Sequence, residues 1–192
     1  MLILVSGLIL FLGVHSIRLF ASEWRTRQIH RLGAMPWKGV YSVVSVLGFG
    51  LIIWGFGLAR ATPDLLWMPP IWTRHLAAGL MPIAFILLVA AYVPGNRIKA
   101  MVGHPMLLAV VVWACVHLLA NGTLADSVLF GAFLFWAVID FSVCRQRDRL
   151  SGVTYPVIGI GRDLLVFFIG LIAFAWFAHY GHLWLIGVKP FA

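Results

Sequence analysis

Apolar residues run along this chain in long blocks with little alternation, broken at regular intervals by short polar stretches. Six blocks are long enough to be read as membrane-spanning helices, each needing about 20 mostly apolar residues. They cover approximately 1–20, 39–59, 70–92, 104–121, 125–143 and 162–187. Turn chemistry falls between them: Pro36, Pro63, Pro69–Pro70, Pro94–Gly95 and Asn121–Gly122. Pro105 sits where the first turn of the fourth helix lacks a partner for its N–H anyway. Pro82 lies inside the third block and predicts a kink or a freed carbonyl. The blocks are far too long for barrel strands, and lipid-facing backbone must satisfy its own hydrogen bonds. The pattern predicts an all-α fold: residues 1–192 form a single domain, a compact bundle of about six transmembrane helices. The turn at 121–124 is so short that the fourth and fifth helices must be antiparallel neighbours.

Composition agrees. Hydrophobic residues make up 62% of the 192 and charged residues 10%, against about a quarter charged in a soluble domain. Mean hydropathy is +1.01. The net charge of +8 is informative through its placement. Eleven of the fourteen Lys and Arg sit in or beside alternate loops: Arg18, Arg25, Arg27, Arg31, Lys38, Arg97, Lys99, Arg145, Arg147, Arg149 and Arg162. Only Arg60, Arg74 and Lys189 belong to the other side. The positive-inside rule then places the three basic loops in the cytoplasm and both termini in the periplasm. The basic residues act as orientation signals and as contacts for anionic lipid, and no nucleic-acid signature accompanies them. Trp24, Trp37, Trp67, Trp72 and Trp184 lie near predicted helix ends, as an aromatic belt does. The first block lacks a basic leader and is followed by EWRTR, so it reads as a retained anchor. Cys115 and Cys144 fall at different depths and are not expected to pair.

Candidate chemistry rests on histidine. The chain has no HExxH, Walker loop or CxxC, and no carboxylate pair at helical spacing within a span. Ionisable groups inside a span are costly and mark function, although a neutral imidazole can also serve as a plain inter-helix contact. His117 is in the middle of an apolar run, with Trp113 and Asn121 one turn either side and Ala114 and Ala120 three residues away. Such a surface suits a flat macrocycle close to the backbone. His104 is about 20 Å and roughly 220° away from His117 on the same helix, so the two cannot share a ligand. It reads as a helix-start residue. His15 has Arg18 one turn nearer the headgroups, an arrangement that suits a haem whose propionates point to that surface. His75, His179 and His182 fall near the outer face, and His179 and His182, three residues apart, could share one ligand. His30 lies in a basic loop. Asp140 is read as anchoring the end of its helix with Arg145.

GHPMLLAVVVWACVHLLANGTLADSVLFGAFLFWAVID (103–140) resembles the central block of the NnrU family, and GVHSIRLF (13–20) and HLWLIGV (182–188) resemble its flanks. The resemblance spans essentially the whole chain. It implies a multi-pass protein of the bacterial inner membrane linked to nitrite and nitric oxide metabolism. That family is similar in turn to zeta-carotene isomerase, which uses haem b to isomerise a double bond. The likeness implies His15 and His117 as iron ligands; helical spacing puts Arg18, Trp113 and Asn121 beside such a cofactor, and His75 or His179, on the same side of the membrane as His117, is the fallback partner. The isomerase's cysteine three residues before the second histidine is replaced here by Ala114. Three functions fit: a haem-dependent, isomerase-like enzyme on a lipid-soluble substrate, a non-catalytic haem redox or sensor protein, and a cofactor-free accessory membrane protein. Likeness to membrane methyltransferases is weaker. Their HP motif follows an arginine, here Gly103, and CRQRDRLSGVTYP lacks their paired glutamates.

Depth constrains the His15–His117 pairing. If the first helix stops at its last apolar residue, His15 lies roughly 9 Å and His117 roughly 20 Å from the cytoplasmic boundary. Continuation of that helix to Trp24 reduces the gap to about 6 Å. The pairing also demands that the first and fourth predicted helices be neighbours.

Overall fold

The computed structural model describes residues 1–190. It is 82% helix, with no strand among the described residues. The helices are α1 (Leu2–Phe20), α2 (Ser22–Leu32), α3 (Ala34–Ala61), α4 (Ile71–Tyr92), α5 (Arg97–Val102), α6 (Pro105–Ala120), α7 (Leu124–Leu150), α8 (Ile160–Trp176) and α9 (His182–Ile186). A π-helical turn, Phe177–Gly181, joins α8 to α9. Five segments are long and apolar enough to cross a membrane: α1, α3, α4, α7 and the stretch Ile160–Ile186. The sixth predicted span is present as α6, which has 16 residues. At 1.5 Å per residue it is about 24 Å long, short of a hydrocarbon core of about 30 Å. Large apolar side chains line the outside, with Phe135 72% and Phe168 57% exposed, as a lipid-facing surface requires.

The helices follow one another as a row of neighbours in the order α3, α1, α7, α6, α4, α8, with α3 also touching α7 and α9 returning to α3. The α6–α7 pairing expected from the short turn is present. α1 and α6 both pack against α7, and Leu4 and Leu8 of α1 share a core with Ala114 of α6.

Close approach of α1 and α3 depends on glycine. A Cβ at Gly7 would sit 2.7 Å from the Ile52 backbone nitrogen, and one at Gly48 2.8 Å from that of Phe11; at Gly55 it would strike the Leu4 backbone nitrogen. Such small-residue seams are how helices associate in lipid, where burial of apolar surface gives little. Alongside the seam lies the main core of Leu4, Leu8, Ile52, Phe56, Ala114, Ala125, Leu129 and Phe130.

Local chemistry sets the ends. Thr123 and Asp126 form a reciprocal capping box at the start of α7. Asn96 caps α5 through Lys99 N–H at 2.7 Å, and its amide donates to the carbonyls of Ala90 and Val93. α7 extends seven residues beyond its predicted end at 143, out to Leu150, and so carries Arg145, Arg147, Asp148 and Arg149 on helix. One end of the molecule therefore holds α2, α5, the 151–159 loop and the eleven basic residues. The opposite end holds Leu2, α9, the 62–70 loop and the α6–α7 turn.

Candidate functional site

His117 is one turn from the end of α6. Its Nδ1 is 2.7 Å from the Trp113 carbonyl. A carbonyl can only accept, so Nδ1 carries the proton and the neutral ring keeps its lone pair on Nε2. Fixing one ring nitrogen in this way orients the other as a metal ligand. Asn121 Nδ2 donates to the His117 carbonyl at 2.9 Å, so it caps the helix rather than touching the ring. The imidazole packs on Phe130 at 4.7 Å between centroids and on Trp113 at 5.5 Å. Ala114 is fully buried in the core. Cys115, next to it, is half-buried and free.

His15 is held alike, with Nδ1 2.7 Å from the Phe11 carbonyl. Its ring stacks on Phe11 at 4.2 Å and meets Tyr41 and Trp136 edge-on. Phe133 contacts both Phe11 and Trp113, at 5.8 and 5.4 Å, so a column of rings runs between the two histidines. On α7, Phe130 touches His117 and Trp136 touches His15; six residues of helix put these contacts about 9 Å apart along the axis. α1 ends at Phe20 and not at Trp24, so the larger of the two predicted depth gaps applies. Arg18 is exposed at the basic end.

The remaining outer histidines separate. His75 and His179 are exposed, and His179 Nδ1 is 2.9 Å from the Ala175 carbonyl. The common face expected for His179 and His182 is broken by the π-helical turn. His182 is half-buried, its Nδ1 2.6 Å from the Val188 carbonyl. Sequence spacing could not reveal this, because a π turn leaves no pattern in the residues that form it.

A second polar cluster occupies the basic end. His104 caps α6, and its Nε2 is 2.8 Å from Asp148 Oδ2. The Tyr155 hydroxyl donates to the same oxygen at 2.9 Å. Burial pushes the Tyr155 phenol above its ordinary value, and the adjacent carboxylate adds to that. Gly103, with φ of 74°, turns the chain here, and a Cβ on it would lie 2.9 Å from an Arg145 guanidinium nitrogen. The expected Asp140–Arg145 anchor is replaced: Asp140 accepts from the Cys144 thiol at 3.3 Å, and Arg147 donates to that sulfur at 3.1 Å. α7 brings 140, 144 and 147 to one face at i+4 and i+3 spacing, whereas 145 is five residues on.

Two apolar grooves, each of about 410 Å³, are present. One lies between α1 and α7, lined by Leu12, Ser16, Phe20, Ala132, Trp136 and Ile139 among others. The other is at the start of α1 beside Gly55. Neither is lined by a histidine. Among the described residues no group of three or more His, Cys, Asp or Glu gathers to hold a metal ion.

Five long apolar helices and exposed apolar flanks define a multi-pass α-helical membrane protein. The family described as NnrU protein matches residues 3–190, and the chain belongs to that family. No curated protein and no solved structure matches it.

Proposed function

We propose that this NnrU-family chain is a haem b-binding protein of the bacterial inner membrane, with His117 as an iron ligand. One observation carries the reading: the Trp113 carbonyl fixes the His117 tautomer and leaves Nε2 as a lone pair in an aromatic, low-dielectric setting. The donor set fits iron porphyrin, which needs axial imidazoles and apolar, aromatic surroundings rather than a polar ligand cluster. A thiolate at position 114 is ruled out by the alanine there. When bound, the iron would supply one-electron redox or Lewis-acid chemistry, tuned by its ligands and burial. His117 would hold it, Trp113 would fix that ring, and Phe130 would keep water away. The distribution of basic residues supports periplasmic termini. The likeness to NnrU proteins supports a role in nitrite or nitric oxide metabolism. The apolar groove between α1 and α7 supports a second reading, isomerase-like chemistry on a lipid-soluble substrate.

The absorption spectrum of the purified chain, oxidised and then reduced, tests this. The reading expects a Soret band that shifts on reduction and about one haem per chain. A featureless visible spectrum after incubation with hemin would leave a cofactor-free accessory protein.

A further inference from the structure

We infer that the groove between α1 and α7 holds one anionic glycerophospholipid of the basic-side leaflet. An acyl chain lies along the groove, an ester carbonyl accepts from Trp136, and the phosphate meets Arg147. Nothing in this assignment depends on haem.

The groove exists because α1 is drawn elsewhere. Its close approach to α3 at Gly7, Gly48 and Gly55 leaves it less closely packed on α7. The space between α1 and α7 is about 410 Å³ and almost wholly apolar. It runs from Val128 to Ile139 along α7, about 16 Å at 1.5 Å per residue. One leaflet of a hydrocarbon core of about 30 Å is about 15 Å deep, so the groove matches the reach of one leaflet's chains. The Ser16 hydroxyl in its wall is already satisfied, donating to the Leu12 carbonyl at 2.6 Å.

One polar atom in that wall is not satisfied. Among the described residues two buried side-chain polar atoms lack a hydrogen bond, Trp136 Nε1 and Asp163 Oδ2. Asp163 Oδ2 is answered by Arg97 at 3.5 Å. Trp136 Nε1 has no such partner, and a buried donor without an acceptor is costly in lipid, where water does not substitute. Buried donors in folded proteins are nearly always paired, so the groove's occupant has to bring an acceptor. Trp136 is three residues inside Ile139, about 4–5 Å, close to the groove's basic end. A phospholipid carries its ester carbonyls at that level, between tail and headgroup.

Charge completes the match. The groove opens at the end of the molecule where the eleven basic residues gather. Val143 and Arg147 follow Trp136 by seven and eleven residues, which returns them to one face of α7. Long side chains on a helix lean toward its N-terminus, and Arg147 does so: its Nη2 donates to Cys144 Sγ at 3.1 Å. That sulfur is five residues beyond Ile139, about 8 Å. The headgroup layer on each face of a bilayer is roughly 5–8 Å thick, so the guanidinium sits where a phosphate would. Arg147 forms no ion pair among the described residues, and one thiol uses one of its five N–H groups. Cation, N–H donor and apolar channel thus follow one another in the order phosphate, ester and acyl chain.

The test uses the full chain in detergent, delipidated and then offered phosphatidylglycerol or phosphatidylcholine with identical acyl chains. Native mass spectrometry counts the lipid retained per chain. Wild-type protein is expected to keep one phosphatidylglycerol, about fivefold in preference to phosphatidylcholine, the factor one interfacial cation supplies. Arg147→Gln should erase the preference and Arg147→Lys should keep it. Diether phosphatidylglycerol, which lacks ester carbonyls, should be retained about fivefold less than the diester by wild-type protein and equally by Trp136→Phe. Ala132→Phe fills the groove and should abolish retention, whereas Leu58→Phe, in the other groove, should not change it. If Ala132→Phe accumulates poorly, Ile9→Trp replaces it, because Ile9 lines the same groove and is 69% exposed. Equal retention of the two diester lipids by wild-type protein, or undiminished phosphatidylglycerol in the filled-groove variant, overturns the assignment. Equal retention of diester and diether lipid by wild-type protein overturns the Trp136 contact.

Discussion

Leucine at Gly55 is expected to abolish accumulation of the folded protein, or to lower its unfolding temperature sharply. A Cβ there already collides with the backbone of Leu4, and backbone cannot rotate aside as a side chain does. Overpacking ordinarily costs about 1–3 kcal/mol. Here the whole of α1 has to retreat from α3, opening the core around Leu4, Leu8, Ile52 and Phe56, so the cost should exceed that range. This is a large share of a total stability of about 5–15 kcal/mol. Gly50, on the same helix, is the matched control, because nothing lies within 4 Å of a Cβ added there. Thermal unfolding in detergent, followed by tryptophan fluorescence, should separate Gly55→Leu from Gly50→Leu. Equal behaviour of the two would mean that the α1–α3 seam is not what holds these helices together.

Alanine at Asp148 should be the most damaging substitution at the basic end. The carboxylate accepts from both His104 and Tyr155, joining the start of α6, the end of α7 and the loop leading to α8. Hydrogen bonds to a charged group contribute about 1.5–3 kcal/mol each, and removal of one partner strands the others. The side chains of His104 and Asp148 are 21% and 12% exposed, so water recovers part of the loss. The expected cost is about 2–4 kcal/mol, equivalent to an unfolding temperature lower by roughly 5–15 °C in a chain of this size. A double-mutant cycle with His104→Ala isolates the pair. A coupling energy near zero would reduce the cluster to independent surface contacts.

The spans were legible because lipid demands long apolar runs, and Pro105 and Asn121–Gly122 marked the limits of α6 through backbone chemistry alone. α6 lies one residue inside each end of the predicted span 104–121, and its 16 residues make it the short member of the bundle. Arg145, Arg147, Asp148 and Arg149 read as a loop because they are polar. They are helical because α7 continues out of the apolar zone, where water can solvate one face. His117 was legible as a polar residue in an apolar run. Its tautomer was not, because that depends on where the Trp113 carbonyl points. The role of His104 was hidden for a different reason: its partner Asp148 is 44 residues away. The α1–α3 seam depends on glycines that look like any others in a glycine-rich chain until the facing backbone is known.

The haem content of His117→Ala, measured against wild-type protein purified in parallel, tests the central claim most directly. The Trp113 carbonyl orients this one imidazole and leaves its Nε2 free. Loss of the ring should therefore remove at least nine-tenths of the bound haem, with the chain still folded and still in the membrane fraction. Haem retained at the wild-type stoichiometry, with an unchanged spectrum, would contradict the account.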